Sequence, residues 1–307
     1  MRVLIVCSKN SGKIAPFIQE QAESLVRIGL DVDYFTIEGK GLKGYLKNKK
    51  RLMDKIRLFQ PQLIHAHYGL SGLLANLQRQ VPVVTTYHGS DINHPKVYPL
   101  SRLNMTLSAY NIFVSQKNVD KAGLKKGSAL IPCGVDIHFF SPMDKQEARK
   151  QLNLMPDKRY VLFAGSFSNK VKNSGLAKEA VKQLEGVKLL ELKGYTRQQV
   201  AQLMNAVDAV LMTSFTEGSP QFIKEAMACN CPVVSVPVGD VPEVIEGVEG
   251  CYLTTYDASD VAAKLQQALA FGQHTEGRPV IIKRGLDAEK VAAQIRDIYQ
   301  SLITTNH

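Results

Sequence analysis

Two glutamates, Glu217 and Glu225, stand eight positions apart in the stretch TEGSPQFIKEAMACNCPVV at residues 216–234. A helix is predicted to begin between them, because Ser219 is a favourable N-cap residue and Pro220 suits the first helical position. The backbone N–H groups at a helix start attract anions, so a phosphate group is expected there. Carboxylates beside a phosphate would accept hydrogen bonds from neutral hydroxyls, such as those of a ribose or a sugar ring.

The predicted helix also has a clear end. Asn230 is typical of the left-handed residue that closes a helix, and Pro232 then opens a valine-rich strand. On a helical wheel Glu225 falls beside Gln221, at the edge of the apolar arc. We therefore expect its carboxylate to lie along the surface, directed toward the helix start.

The elements that position these glutamates alternate between strand and helix along the whole chain of 307 residues. The first half carries the strand patterns RVLIVCS, DVDYFTI, QLIHAH, PVVTTYH, NIFVS and SALIPC, with helices predicted near 14–28 and 42–59. The second half carries RYVLFAGS, VKLLEL, DAVLMTS, PVVSVP and CYLTT, with helices predicted near 175–184, 197–206, 220–229 and 259–271. This alternation is typical of open parallel sheets.

A segment without a strand pattern, residues 140–157, separates the two alternating halves. We predict a first domain over 1–145, a second over 157–285, and an amphipathic helix over 286–307 whose apolar face is available to pack back on the first domain. The predicted fold class is α/β, with two Rossmann-like doubly wound parallel sheets facing each other across a cleft. Ligands bind such sheets at the carboxyl ends of their strands.

Polar loops follow several first-half strands. Gly12 allows close backbone approach to a ligand, although its loop is neither a P-loop nor a G-x-G-x-x-G turn. His65 and His67 share one side of a strand, but a zinc site there would lack clear third and fourth ligands. A structural, hydrogen-bonded role is favoured for His67, whereas His88 opens a glycine turn and is placed in the cleft. No metal is expected.

The run from Glu217 to Ile245 resembles the family 4 retaining glycosyltransferases of group 1, which have the two-Rossmann GT-B fold. Glu217 and Glu225 reproduce the E-x7-E element of this family, and EAMACNCPVV is similar to its usual EAMACG-PVV run. The resemblance covers nearly the whole chain. It implies that Glu225 accepts hydrogen bonds from the ribose of a sugar nucleotide and Glu217 from the donor sugar ring, with Gly218 and Ser219 also at the donor.

The same resemblance implies basic residues after the first strand of the second domain, where they neutralise the departing diphosphate. In GSFSNKVKNSG, Lys172 matches the lysine of the family best. Ser166 follows Gly165 where the family commonly has arginine, so Lys170 or another lysine would supply the second charge. The family histidine that approaches the donor sugar corresponds to His88.

By resemblance the catalytic set is Glu217, Lys172 and His88. Gly12 and His67, which lie at strand ends of the first half, are placed with His88 on the acceptor side. The implied reaction is a retaining hexosyl transfer from a UDP- or GDP-sugar to a saccharide or lipid-linked saccharide, in cell-surface polysaccharide synthesis. The sugar nucleotide is a co-substrate, and no other cofactor is implied. Two alternatives stay open: a sugar-nucleotide epimerase, against which E-x7-E argues, and a catalytically inactive sugar-nucleotide-binding protein, suggested by Ser166.

The formal net charge of +10 calls for an anionic partner, and nucleotide phosphates, a lipid surface or nucleic acid would each satisfy it. Nucleic acid rests on charge alone and is not expected. Residues 40–59 carry eight Lys or Arg against one Asp, with apolar residues at helical spacing. This basic helix either packs on the first sheet with its lysines in water or holds the protein against an anionic membrane, and the sequence leaves both readings open.

No run approaches the ~20 apolar residues of a membrane-spanning helix, and MRVLIVCSKN enters a strand without a signal-peptide pattern. The sequence therefore predicts a cytoplasmic protein, with peripheral attachment to the inner membrane face as the alternative. The five cysteines lack C-x-x-C and zinc-finger spacing, so we interpret them as small buried hydrophobes.

Overall fold

The computed structural model describes residues 1–304, so the last three positions of the expected C-terminal helix, 305–307, lie outside the described residues. The chain divides into two compact units. The first contains Met1–Gly134 together with the segment that begins at Ala288, and the second contains Val135–Asp287.

The first unit is built on a six-stranded sheet whose neighbouring strands are all parallel. Its strands are β1 (Arg2–Ser8), β2 (Asp31–Ile37), β3 (Leu63–His67), β4 (Val83–Tyr87), β5 (Tyr110–Phe113) and β6 (Ser128–Leu130). Its helices in this part of the chain are α1 (Pro16–Arg27), α2 (Gly41–Leu46), α3 (Lys49–Phe59), α4 (Gly69–Asn76), α5 (Ser90–Asn93), α6 (Tyr98–Leu107) and α7 (Gln116–Ala122). The strand order is β2-β1-β3-β4-β5-β6.

The second unit repeats this plan with a five-stranded parallel sheet. Its strands are β7 (Arg159–Phe163), β8 (Val187–Glu191), β9 (Ala209–Met212), β10 (Val233–Ser235) and β11 (Cys251–Leu253). Its helices are α8 (Lys145–Gln151), α9 (Ser174–Val181), α10 (Arg197–Ala206), α11 (Gln221–Ala228), α12 (Val241–Ile245), α13 (Ala258–Phe271) and α14 (Gly277–Lys283). The strand order is β11-β10-β9-β7-β8.

The prediction of two parallel α/β sheets is confirmed, and every predicted strand pattern contains a strand. Central strands such as β1 and β9 are buried on both faces because helices cover each side of the sheet. Each sheet reverses its strand order once, between β1 and β3 in the first unit and between β7 and β9 in the second. In doubly wound folds the crevice at the carboxyl ends of such strands is where ligands bind.

The change of unit occurs at residues 134 and 135, earlier than the expected boundary in 140–157. That segment is not an open connection. It contains α8, which begins at the capping side chain of Asp144, and the buried Arg149, which donates hydrogen bonds to Asp208 and to the Ala206 carbonyl oxygen. Phe140 is fully buried in the second core. These contacts place residues 135–157 in the second unit.

The last helix, α15 (Ala288–Thr304), belongs to the first unit. Its buried face carries Val291, Ala292 and Ile295, which join the core formed by β1 and α1. Tyr299 is fully buried, and its hydroxyl is hydrogen-bonded to Nδ1 of His65 on β3. Helix α15 thereby packs on one face of the first sheet.

The single basic helix predicted near 42–59 is wrong, because the structure divides it into α2 and α3. Asn48 lies between them, is almost fully buried, and donates from its side-chain amide to the carbonyl oxygens of Glu38 and Gly44. Tyr45, Leu52 and Ile56 pack into the core beneath the sheet, whereas Leu58 is 83% exposed. Only part of the apolar stripe of α2 and α3 is therefore buried in the core.

Within residues 1–304, no helix combines the length and the apolar character that crossing a membrane requires.

Candidate functional site

Two of the predicted residues of the second unit, Lys172 and Glu217, meet at the carboxyl ends of β7 and β9. Lys172 ends a short 3₁₀ turn after β7, Glu217 lies in the loop after β9, and the lysine Nζ is 2.7 Å from Glu217 Oε1. The aliphatic part of the lysine passes Gly165, which has a φ of 147°. A Cβ at residue 165 would lie 3.3 Å from Lys172 Cγ, so the absence of a side chain there leaves room for the lysine.

Hydrogen bonds to backbone carbonyl oxygens hold the two loops together. The Thr213 hydroxyl donates to the carbonyl oxygens of Lys172 and Asn173, both at 3.0 Å, and the Phe215 N–H donates to the carbonyl oxygen of Val171 at 2.9 Å. Lys172 and Glu217 are 45 positions apart in the chain, and these hydrogen bonds between their loops hold them close enough to form an ion pair.

Glu225 does not lie along the surface as the helical wheel predicted. It is 5% exposed, and its Oε1 accepts a hydrogen bond of 2.6 Å from Arg197 Nη1. Arg197 is the first residue of α10, and its guanidinium stacks 4.3 Å from the ring centre of Phe140. Burial raises the pKa of Glu225, while the adjacent guanidinium opposes that shift.

Ser219 is not the N-cap of α11, which the structure assigns to Pro220 without a side-chain capping bond. The Ser219 hydroxyl instead donates to Asp240 Oδ2 at 2.6 Å and is also hydrogen-bonded to Nζ of Lys224. Gly218 is buried beside it. The predicted helix end is confirmed, because Asn230 has the left-handed φ of 57°.

The position where the family commonly has arginine is occupied by a serine engaged elsewhere. The Ser166 hydroxyl donates to Glu191 Oε1 at 2.8 Å, and the same oxygen accepts the Phe167 N–H at 2.7 Å. These hydrogen bonds lower the pKa of Glu191. Lys170 is exposed at the start of the 3₁₀ turn, on the same loop as Lys172.

In the first unit, the buried His65 and His67 and the half-buried His88 form a stack at the carboxyl ends of β3 and β4. His67 lies between His65 and His88, with ring centres 4.5 Å and 5.2 Å away, and its Nδ1 is 3.0 Å from His88 Nε2. Within residues 1–304, no hydrogen-bond partner reaches His67 Nε2. Burial lowers the pKa of His65 and of His88 to about 3 and that of His67 well below its usual value, so the stack is uncharged.

Asp91 holds the loop that carries His88. Its carboxylate accepts the backbone N–H groups of Gly69, His88 and Gly89, each at 3.1 Å. Burial nevertheless raises the pKa of Asp91 to about 6. Gly12 lies in the loop after β1 with a φ of 89°, and open space surrounds the position of a Cβ. Gly12 and His67 therefore occupy the two strand ends at the reversal point of this sheet.

In the part of the chain that the structure describes, no group of three or more His, Cys, Asp or Glu side chains is arranged to hold a metal ion.

Sequence reasoning missed Arg197, Lys224, Asp240 and Asp91. Arg197 follows Thr196, whose capping box with Gln199 marks the start of a helix, but nothing local indicates that the arginine reaches Glu225. Lys224 could have been noticed because it is a lysine between Phe222 and Met227, in a part of the predicted helix where apolar residues predominate. Its partner Asp240 lies 16 residues away, so periodicity does not identify the pair.

Comparison with known protein families gives two matches that together span most of the chain. Residues 2–139 match the model described as Glycosyltransferase Family 4, and residues 162–270 match the model described as Glycosyl transferases group 1. A D-inositol 3-phosphate glycosyltransferase of Mycobacterium marinum is 25% identical over 266 residues, which cover 70% of this chain and 57% of that protein. A Bacillus subtilis glycosyltransferase, provisionally named for teichuronic acid biosynthesis, is 25% identical over 82% of this chain and 74% of its own.

Solved structures with the same fold include sucrose-phosphate synthase from Thermosynechococcus elongatus, with a TM-score of 0.83, 20% identity and 99% of each chain covered. The Anabaena protein HepE, solved in complex with UDP, has a TM-score of 0.77 and 20% identity over 98% of this chain and all of its own. These likenesses establish the two-domain glycosyltransferase fold. The chain spans little more than half the length of the mycobacterial relatives that it matches.

The histidine stack should make stability depend on pH. Because the folded pKa values of these histidines lie below the unfolded value of 6.5, the unfolded chain binds more protons, and stability is lost as pH falls below about 6.5. The slope from each histidine grows as pH falls through 6.5 and approaches about 1.4 kcal/mol per pH unit near pH 5. Urea unfolding between pH 7.5 and 5 should give a shallower slope for His67→Gln and an unchanged slope for a variant of the exposed His138, His138→Gln. Equal slopes for wild type and His67→Gln would contradict the assignment.

Arg197 should contribute more to the free energy of unfolding at high pH than at low pH. The raised pKa of Glu225 means that its ionised form is unfavourable in the folded state, so stability falls as pH rises through its folded pKa. Arg197→Gln removes the counter-charge, and the loss of unfolding free energy should be larger at pH 8 than at pH 5. In a Glu225→Gln background the same substitution should cost equally at both pH values. A pH-independent loss in the single variant would show that only the packing on Phe140 matters.

Proposed function

Since the chain belongs to the family 4 glycosyltransferases of group 1, we propose that it transfers a sugar from a sugar nucleotide to a saccharide or a lipid-linked saccharide. The observation that carries this proposal is the presence of two ion pairs in the second unit, Lys172 with Glu217 and Arg197 with the buried Glu225. These residues provide both a cation for a diphosphate and carboxylates for sugar hydroxyls, at the strand ends where doubly wound sheets bind ligands.

In the proposed donor complex, the ribose hydroxyls donate to Glu225 and the hydroxyls of the donor sugar donate to Glu217. Gly218 and Ser219 lie between these carboxylates, and their segment borders the sugar. The exposed Lys170 and the half-buried Lys172 neutralise the diphosphate. The HepE complexes with UDP and UDP-glucose support a sugar nucleotide as the donor class, and UDP- and GDP-sugars are the donors to test.

The proposed chemistry rests on the charge that the leaving group acquires. When the bond between the anomeric carbon and the diphosphate oxygen breaks, its electron pair remains on that oxygen, and the positive charge of Lys172 stabilises it. The acceptor hydroxyl attacks the anomeric carbon from the same face, so configuration is retained. Its proton passes to a phosphate oxygen of the leaving group, so that no separate protein base is needed.

Lys172 faces two competing anions in this scheme. Its Nζ is bound to Glu217 in the structure, and the diphosphate would offer it a second partner. A lysine that is already aligned by Gly165 and by the Thr213 contacts loses little conformational freedom when it turns to the donor. Preorganised charge of this kind is more effective than a freely rotating surface lysine.

On the first unit, we assign Gly12, His67 and His88 to the acceptor side. The neutral histidine stack contains one ring nitrogen without a hydrogen-bond partner among the described residues, His67 Nε2, which suits a hydroxyl-bearing acceptor. A place in cell-surface polysaccharide synthesis fits this acceptor class and the name of the Bacillus subtilis relative. The reaction would take place on the cytoplasmic side of the membrane, where sugar nucleotides are available.

The basic segment of α2 and α3 is the candidate membrane contact. Lys47, Lys49, Lys50 and Arg51 are exposed, as are the apolar side chains of Leu42 and Leu46 nearby. Exposed cations with a few apolar neighbours favour adsorption to anionic lipid, where a lipid-linked acceptor resides.

Replacing Lys172 with Met should reduce turnover by about 100-fold or more, since a preorganised charge at the leaving group contributes most in the transition state. The experiment is a panel of UDP- and GDP-sugars, screened first by thermal shift and then by turnover with a saccharide acceptor. Donor affinity should change much less than turnover. Lys182→Met, at an exposed position on the same unit, is the matched control and should behave as wild type.

The same panel decides between the proposed function and its alternatives. Sugar-nucleotide binding by wild type without transfer to any acceptor would indicate a binding protein, in keeping with Ser166 at the arginine position. Interconversion of the donor sugar would indicate an epimerase. A change in the Michaelis constant alone for Lys172→Met would limit that residue to binding.

Changing Lys47, Lys49, Lys50 and Arg51 to Gln should release the protein from anionic vesicles, because each charge near such a surface contributes about 1 kcal/mol. Vesicle sedimentation at low salt measures this, and wild-type binding should weaken as salt rises. Turnover on a water-soluble acceptor should survive the change, whereas turnover on a lipid-linked acceptor should fall.

A control with the same loss of charge replaces exposed lysines of the second unit by Gln, namely Lys150, Lys158, Lys182 and Lys188. This variant should keep its vesicle binding if the basic segment is the contact. If wild-type protein does not bind anionic vesicles at low salt, the membrane proposal is wrong.

A further inference from the structure

A lysine without any exposed surface lies one position before Glu225. Lys224 is 0% exposed, and its Nζ lies 2.7 Å from Asp240 Oδ2 and within hydrogen-bond distance of the Ser219 hydroxyl. Ser219 in turn donates to the same carboxylate oxygen at 2.6 Å. These three side chains form a closed triangle, which we call the Lys224 triad.

The triad joins two separate loops. Ser219 ends the loop that follows β9 and carries Glu217, whereas Asp240 ends the loop that follows β10. A second contact fixes the same loops, because a Cβ on Gly239 would lie only 2.4 Å from the carbonyl oxygen of Gly218. The Gly218–Ser219 segment is therefore tied to residues 239 and 240 both by polar side chains and by close backbone packing.

Stability alone is a poor explanation for this arrangement. Burying a lysine and an aspartate removes both from water, and their attraction commonly does no more than repay that cost. Four other residues of α11, Phe222, Ile223, Ala226 and Met227, belong to the apolar core, so a methionine at position 224 would suit the apolar part of its surroundings. In addition, Asp240 Oδ1 is buried and has no hydrogen-bond partner within the described residues.

The triad instead restricts the two loops to one arrangement. A buried charge can be satisfied in only one arrangement of its partners, whereas apolar contacts tolerate several. The partners of Lys224 are confined to the two loops, so its charge selects one position of the segment between Glu217 and α11.

We propose that Lys224 and Asp240 are positioning residues, which hold the Gly218–Ser219 segment and thereby Glu217 against the transferred sugar. The inference rests on the proposed function, since it assigns the triad to the sugar half of the donor. Glu225, by contrast, is held by Arg197 from α10, outside the triad. The triad should therefore affect the handling of the sugar and leave the binding of the nucleoside diphosphate unchanged.

The test compares Lys224→Met, Asp240→Asn and the double variant that carries both substitutions. Each single variant leaves one buried charge without its partner and is expected to lower stability, while the double variant removes both charges and should recover it. In the recovered double variant we expect turnover of the wild-type donor to be at least tenfold lower. Its affinity for UDP and GDP, used as probes without the sugar, should stay within about twofold of wild type.

Amide hydrogen exchange supplies a readout that does not depend on activity. In the double variant, exchange at residues 214–219 should accelerate at least tenfold, while exchange in β9 and in the middle of α11 stays unchanged. Ser219→Ala, which removes one hydroxyl and no charge, should accelerate the same segment. If the double variant does not recover stability, Ser219→Ala provides the same comparison of turnover, nucleotide affinity and exchange.

If the double variant turned over the donor as fast as wild type does, the inference would be overturned. A loss of turnover accompanied by an equal loss of UDP and GDP affinity would overturn it too. Unchanged exchange at residues 214–219 would overturn it as well. Failure of the proposed function is a different result: wild type would then transfer no sugar from any sugar nucleotide to an acceptor, whether or not it binds one. Hydrogen exchange would still decide whether the triad holds the loop.

Discussion

A carboxylate that is removed from water needs a cation or several hydrogen-bond donors, and this requirement organises the second unit. Three carboxylates gather around the loop after β9, and a different cation meets each one. The pairs are Glu217 with Lys172, Glu225 with Arg197, and Asp240 with Lys224. The Lys172 pair ties the loop to the 3₁₀ turn, the Arg197 pair ties α10 to α11, and the Lys224 pair ties α11 to the loop after β10.

The sheet determines where these pairs form. In both units the strand order reverses once, and the loops on either side of the reversal diverge above the carboxyl ends of the strands. Lys172 follows β7 and Glu217 follows β9, so the ion pair bridges the reversal itself. Gly12 and His67 occupy the corresponding positions in the first unit. The shared topology explains why candidate residues from separate parts of the sequence lie at equivalent points of the two sheets.

The two units satisfy their buried polar groups in different ways. In the first unit, Asp91 is held by three backbone N–H groups, and the histidine stack remains neutral because burial disfavours protonation. In the second, side-chain cations serve the same purpose. A neutral histidine stack suits a hydroxyl-bearing acceptor, and an edge with cations in place suits a diphosphate. This difference supports the proposed division between acceptor and donor.

The sequence by itself determined the strands, the parallel sheets and the left-handed end at Asn230, because periodicity and capping depend on residues close in the chain. Only the tertiary structure decided that Glu225 is buried, that Ser219 binds Asp240 and does not cap α11, and that Asn48 divides the basic segment. The ion-pair partners are 16, 28 and 45 residues apart. Which cation reaches which carboxylate depends on how strands and helices pack, and short-range sequence patterns carry no record of that packing.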